Sequence, residues 1–512
     1  MPLITSGILN SNWRAIRASV TRFARMCQWM VGGLLLVSRL HGVDQPPWLS
    51  KAEDLELAGH FIQASNVLAA ALYTLPLSLE ERHTAEFEID RLERIRKDFP
   101  LTEEALYEAL GRSVRGLLKA EFRQWLDQGR FDFRVIDGEV RYMGSSVSNL
   151  FFRHPELEGR RQPSKETAVL QIRKWETCRT IREAAKKHHS PYVLPKTFVV
   201  QMKVAAHAGA TPASGVVRAW LPIPRGFPYQ TGFQLLRASP AVKQIEPESS
   251  LIRSVYLEQL ASPDQPVSFE IEYQYSTYGV YFDIDASAVT ACDHSDPELK
   301  PYLGEGPHVR FTPEMRILSD QIAGNESNPG KKAKAFHDWI AENIKYSYAI
   351  EYSTIRNIGD YCRGRRYGDC GQEALLFITL CRLNGIPARW QSGWTTFPGS
   401  KSIHDWAEIY LAPYGWLPVD PYMGIFAMQY ASGLSPAQRR EIRDFYFGGL
   451  DQYRLSANSD HCQKLVPPRE AFRSDTVDFQ RGELECNGRN IYFDRFSYEL
   501  TAKELTPRAN LP

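Results

Sequence analysis

Cys370 lies in Tyr367-Gly368-Asp369-Cys370-Gly371-Gln372-Glu373, where a glycine-flanked loop gives way to an apolar, helix-forming run. His404 follows in Ile403-His404-Asp405-Trp406-Ala407-Glu408, and Asp420 in Gly415-Trp416-Leu417-Pro418-Val419-Asp420-Pro421. A thiol, an imidazole and a carboxylate are the nucleophile, base and orienting group of an acyl-transfer site. A cysteine at the first turn of a helix meets unpaired backbone N–H groups and the positive end of the helix dipole. Both favour thiolate and should lower the thiol from its ordinary value of about 8.5. Gly368 and Gly371 let the chain turn tightly, so the Cys370 N–H is a candidate donor to an oxyanion. Asp369 would oppose thiolate formation unless tied elsewhere, and Arg363, Arg365 and Arg366 are its expected partners. His404 would take the thiol proton and return it to the leaving group, with Asp420 holding the ring. Singly, each residue has a bland explanation: a packed thiol, a satisfied polar residue, a turn residue before proline. Together, ahead of aromatic-rich strands, they favour chemistry.

The elements around these residues must bring them together. Residues 371–384 are apolar nearly all round, which predicts a buried helix ended by Gly385 before Ile386-Pro387. Residues 388–394, 404–411 and 416–419 read as strands, and 331–344 as an amphipathic helix with Phe336, Trp339 and Ile340 inward. His404 and Asp420 reach each other only from one face of paired strands. Without a bulge, this requires an odd loop, for example three residues around Pro413 and Tyr414.

Upstream, residues 51–190 carry helical periodicity punctuated by Pro76 and Pro100, with a short hairpin around Asp137-Gly138-Glu139. His188-His189 reads as a solvated pair. Between 195 and 285 the period changes to two, as in Thr197–Val204, Val216–Leu221 and Val267–Tyr275, and predicts a β-sandwich. The expected class is α+β. Its divisions are a candidate targeting segment at 1–43, a helical domain at 44–194, a β-sandwich at 195–300 and a catalytic domain with a C-terminal β extension at 301–512.

The 512 residues, 43% hydrophobic and 24% charged, fit a globular protein of several domains. A net charge of +1 without a basic aromatic stripe argues against nucleic acid as a partner. The eight cysteines have no CxxC spacing and no HExxH occurs, so no metal or other cofactor is expected; disulfides stay open. Gly324–Lys331 lacks the spacing of a phosphate loop and reads as a turn before a helix. Residues 14–39 carry five arginines before the first acid, Asp44, around an apolar stretch from Met26 to Val37. That stretch is too short to span a bilayer but suits a signal-peptide core, so a periplasmic or secreted protein is expected. A transit peptide, an over-long gene start or a cytoplasmic extension stays open.

The segment 310–430 resembles the transglutaminase-like superfamily, a papain-related fold. The resemblance rests on Trp339–Tyr346, Tyr367-Gly368-Asp369-Cys370, Leu383-Asn384-Gly385-Ile386-Pro387-Ala388-Arg389, His404-Asp405-Trp406-Ala407-Glu408 and Gly415–Pro421. It implies a Cys-His-Asp triad, here Cys370, His404 and Asp420, with an upstream aromatic at the oxyanion for which Tyr346 is the candidate. Leu221-Pro222-Ile223-Pro224 resembles the β-domain that precedes this core in some bacterial members. Trp394 and Trp406 read as core. The expected activity is hydrolysis of an amide in a protein or peptide through a thioester at Cys370. Protein-glutamine transglutamination and a non-catalytic scaffold with a vestigial site are the alternatives.

Overall fold

A computed structural model describes residues 45–162, 168–212, 214–262 and 266–505. The expected targeting segment at 1–43 lies outside them. The chain divides into two compact units, one of residues up to 96 with 133–141 and one of 97–132 with 142 onward.

The smaller unit contains helices α1 (Pro47–Leu57), α2 (Phe61–Thr74) and most of α3 (Leu79–Asp98). Phe61, Ala64, Leu68 and Ala71 recur at helical spacing along α2 and form its buried face. Arg91 is buried on α3 and compensated by Glu56 and Glu88. The hairpin β1 (Phe133–Ile136) and β2 (Glu139–Tyr142) turns through Asp137 and Gly138, both at positive φ (50° and 88°). Two such residues in succession are what a tight two-residue hairpin requires.

The larger unit continues with α4 (Glu103–Ser113), α5 (Lys119–Asp127), α6 (Ser146–Arg153) and α7 (Ala168–His188). Strands β3 (Tyr192–Ala206), β4 (Val216–Pro222), β5 (Gln230–Ser239), β6 (Val242–Ile245), β7 (Ser254–Leu260) and β8 (Ser268–Tyr281) follow. Inward residues of both sheets, among them Val200, Met202, Val217, Ala219, Phe269 and Ile271, share one hydrophobic core. Burial alternates along β8 from Ser268 to Gly279, which shows why a period of two produces a sheet with one dry face.

The remaining elements are α8 (Pro313–Ala323), α9 (Pro329–Asn343), β9 (Lys345–Tyr346), α10 (Ile358–Arg365), β10 (Tyr367–Gly368) and α11 (Cys370–Leu383). Next come β11 (Ala388–Thr395), β12 (Ser402–Leu411), β13 (Gly415–Val419), α12 (Pro421–Ile425) and α13 (Pro436–Phe445). The chain ends with β14 (Gly449–Leu450), β15 (Arg454–Asn458), β16 (Glu483–Cys486), β17 (Arg489–Ile491) and β18 (Phe496–Leu505). Gly324, at φ +52°, ends α8 as the predicted turn before a helix. The architecture is α+β.

Three sheets organise this unit. The order β13-β12-β11-β15 forms the sheet beside α11, whose residues 371–382 are all buried. Late strands also complete the sandwich sheets, which run β14-β8-β3-β18 with β5 on β8, and β17-β16-β4-β7-β6. Leu411 pairs with Gly415, leaving the odd, three-residue loop that puts His404 and Asp420 on one face. Among the described residues, no helix is long and apolar enough to cross a membrane.

Candidate active site

Asp369 caps the start of α11. Its Oδ1 accepts from Gln372 N–H at 3.1 Å and from the Tyr352 hydroxyl at 2.6 Å. The expected arginine partners are engaged elsewhere. Arg363 bonds Asp360 at 2.6 Å, Arg365 bonds Asp132 at 3.2 Å, and Arg366 lies over the Trp339 ring. The open N–H groups of the buried helix end, rather than a surface guanidinium, claim this carboxylate. Burial outweighs those hydrogen bonds and pushes its pKa up to about 6.

Cys370, the first residue of α11, is half-buried. Its Sγ–H donates to Asp405 Oδ2 at 3.4 Å. Burial, followed by the negative charges of Asp405 and Asp369, pushes this thiol well above its ordinary value. The expectation of a lowered thiol is therefore corrected. A helix start contributes about 0.3–2 kcal/mol toward an anion, whereas a unit charge about 4 Å away opposes it by about 4 kcal/mol at an effective dielectric near 20. Burial, the largest influence, acts in the same direction, and together they outweigh the helix end.

His404 and Asp420 meet as the strand parity requires, with Nε2 and Oδ2 2.8 Å apart. An Nε2–H donating to the carboxylate leaves Nδ1 as the ring nitrogen available to a sulfur. The imidazole stacks on Trp406 at 5.9 Å and 24°, and Tyr422 meets it edge-on at 5.3 Å. Asp420 is fully buried and fully partnered. Its Oδ1 accepts from Met423 N–H at 3.1 Å, capping α12, and its Oδ2 forms an ion pair with Arg454 Nη2 at 2.9 Å. Arg454 Nε in turn donates to Asp451 at 3.0 Å. Burial opposes ionisation of Asp420, but the charges of His404 and Arg454 hold its pKa at about 2. Burial lowers the His404 pKa despite the attraction of Asp420.

Of the three residues singled out from sequence, the structure joins His404 to Asp420. Among the described residues, no hydrogen bond joins Sγ to the ring; the sulfur's partner is Asp405. Tyr422 and Tyr346 border the sulfur, and the phenols of both are raised by burial and by its proximity. Trp394 and Trp406 are core residues. Sequence reasoning missed Asp405, Arg454 and Gln480, whose amide donates to Asp405 Oδ1 at 2.6 Å. Arg454-Leu455-Ser456-Ala457 alternates polar and apolar, a strand signal that could have revealed β15; nothing local marks Gln480. The seven described cysteines are free thiols, and among the described residues no cluster of three or more His, Cys, Asp or Glu could hold a metal.

Residues 316–421 match the transglutaminase-like superfamily core. An uncharacterized protein of Haemophilus influenzae is 24% identical over 239 residues, covering 41% of this chain and 63% of its own length. The protein YebA of Bacillus subtilis is 29% identical over 129 residues, 22% of this chain and 17% of its own. The chain thus spans less than two thirds of either relative. A candidate cysteine protease from Cytophaga hutchinsonii superposes with a TM-score of 0.40 and 16% identity, over 62% of this chain and 92% of that structure. The periplasmic domain of TgpA from Pseudomonas aeruginosa superposes with a TM-score of 0.26 and 15% identity, over 51% and 95%. Residues 316–421 form a transglutaminase-like domain.

Proposed function

We propose that this chain is a cysteine-dependent amide hydrolase acting on a protein or peptide, with Cys370 as nucleophile, His404 as base and Asp420 as orienting carboxylate. The observation carrying this reading is the buried His404–Asp420 pair at 2.8 Å, the His404 strand also carrying Asp405, the partner of the half-buried Cys370 thiol. Sγ attacks the amide carbon while its proton passes to His404 Nδ1. The imidazolium, stabilised by Asp420, then protonates the leaving amine. Water releases the acyl group from the thioester and regenerates the thiol.

An electrophilic thiol probe followed by mass spectrometry should label Cys370, and Cys370→Ala should abolish turnover with little loss of stability. Turnover retained in that variant overturns the reading. Transglutaminase chemistry has the same first step but ends on an amine. Incubating a glutamine peptide with and without a primary amine separates them: ammonia release without incorporation supports hydrolysis, and incorporated amine supports transfer. Peptide-bond cleavage is followed separately by fragment mass. Export belongs to the same proposal, motivated by the arginine-bearing, acid-free residues 1–43. Recovery of the full-length chain only in the cytoplasmic fraction would overturn it.

A further inference from the structure

Asp405 is held firmly beneath the sulfur. Its Oδ2 accepts from Cys370 Sγ at 3.4 Å, and its Oδ1 accepts from Gln480 Nε2 at 2.6 Å. The same Gln480 amide donates to the His404 carbonyl at 3.0 Å, tying this carboxylate to the strand that carries the imidazole. A Cβ on Gly371 would stand 2.8 Å from Asp405 Oδ2, so the packing leaves the carboxylate little room to swing.

Asp478 lies against Asp405, and both are buried, 4% exposed each. Burial, followed by the neighbouring carboxylates, pushes both carboxyls well above the ordinary carboxylate range. The surroundings are acidic. Asp369 and Glu373 face the sulfur from α11 and its cap, and Asp475 faces the pair from the segment that carries Asp478. Arg481 and Arg473 are cations on that segment, Arg473 donating to the Asp478 carbonyl, and Tyr346, Tyr352 and Tyr422 contribute phenols. His404, next to Asp405 in the chain, directs its Nε2 to Asp420 instead.

We propose that Asp405, held against the sulfur by Gln480, is a positioning residue that keeps Cys370 as a thiol in the resting protein. The inference rests on the reading of Cys370 as the nucleophile. For attack, Sγ leaves Asp405 and turns toward the imidazole. The S–H bond breaks as Nδ1–H forms, and the sulfur lone pair closes the S–C bond to the acyl carbon. An idle thiol held this way reacts slowly with oxidants and alkylating agents, because thiolate is the reactive form.

The test is the rate of Cys370 alkylation by iodoacetamide against pH, on the full chain, followed by mass spectrometry. The wild-type thiol should titrate above the ordinary value of about 8.5. Asp405→Asn keeps the side-chain shape and removes the ionisable group. Its midpoint should fall by at least about one unit, with alkylation at pH 7 rising about tenfold or more. A merely structural role would change melting and leave the midpoint in place. A folded Asp405→Asn with an unmoved midpoint overturns the proposal. So does a wild-type thiol already titrating below the ordinary value, a result that needs no variant to fold. Alkylation requires no turnover, so this profile stands or falls separately from the Cys370→Ala activity test.

Discussion

At the scale of single residues, the site is a contest between burial and charge. Asp420 remains ionised because three partners converge on it: the His404 ring, the Arg454 cation and the Met423 amide. Asp420→Asn should lower kcat by about 10²–10⁴-fold by disturbing the tautomer and weakening the imidazolium; steady-state kinetics check this. Arg454→Met strips Asp420 and Asp451 of their shared cation. Breaking such a buried pair costs about 3–5 kcal/mol, readable as a lower urea midpoint. His404 has a lowered pKa, so the acid limb of kcat/KM should lie below pH ~6.5, the ordinary histidine value. Asp369 shows the opposite sign. Its folded pKa of about 6 lies above the unfolded value, so its contribution is complete below pH ~4 and is lost as pH rises toward 6. Asp369→Asn should remove that part of the stability–pH profile, measured by urea unfolding between pH 4 and 7. Cys370, His404 and Asp420 were legible because their types and settings are chemically distinctive. The restraint on the thiol was not, since nothing in the string says that Asp405 points at the sulfur.

At the scale of elements, two glycines mark where neighbouring atoms, side-chain at one and backbone at the other, leave no room for a side chain. A Cβ at Gly371 would lie 2.2 Å from the Tyr352 hydroxyl and 2.7 Å from Trp390. A Cβ at Gly393 would lie 1.9 Å from the Leu455 carbonyl oxygen, on the β15 backbone. Gly393 pairs directly with His404 on one side and with Ser456 on the other. Gly393→Ala should therefore push β15 away, carrying Arg454 from Asp420, and cost about 1–3 kcal/mol or more. Circular dichroism melts and residual activity should fall together; an unchanged melting temperature would contradict this packing. The helix from 370 and the strands from 388, 402 and 415 were readable from periodicity. Strand β15 was not recognised, although its alternation is present, because it is short and far from the motifs it serves.

At the scale of the larger unit, the last strands belong to sheets begun hundreds of residues earlier. β18 pairs with β3 over ten residues, from Phe496 opposite Ala206 to Leu505 opposite Thr197, and β16 pairs with β4. Deleting residues from 483 onward would bare the edges of β3 and β4, and light scattering should report self-association. The sequence alone determined the local code. Helix and strand periods, the odd loop between β12 and β13, and the reactive residue types all act over a few residues and leave a pattern there. Tertiary structure alone decided which carboxylate touches the sulfur, which arginine compensates Asp420 and which strands complete the sandwich. Those outcomes depend on burial and charge summed over distant segments, and no local pattern encodes that sum.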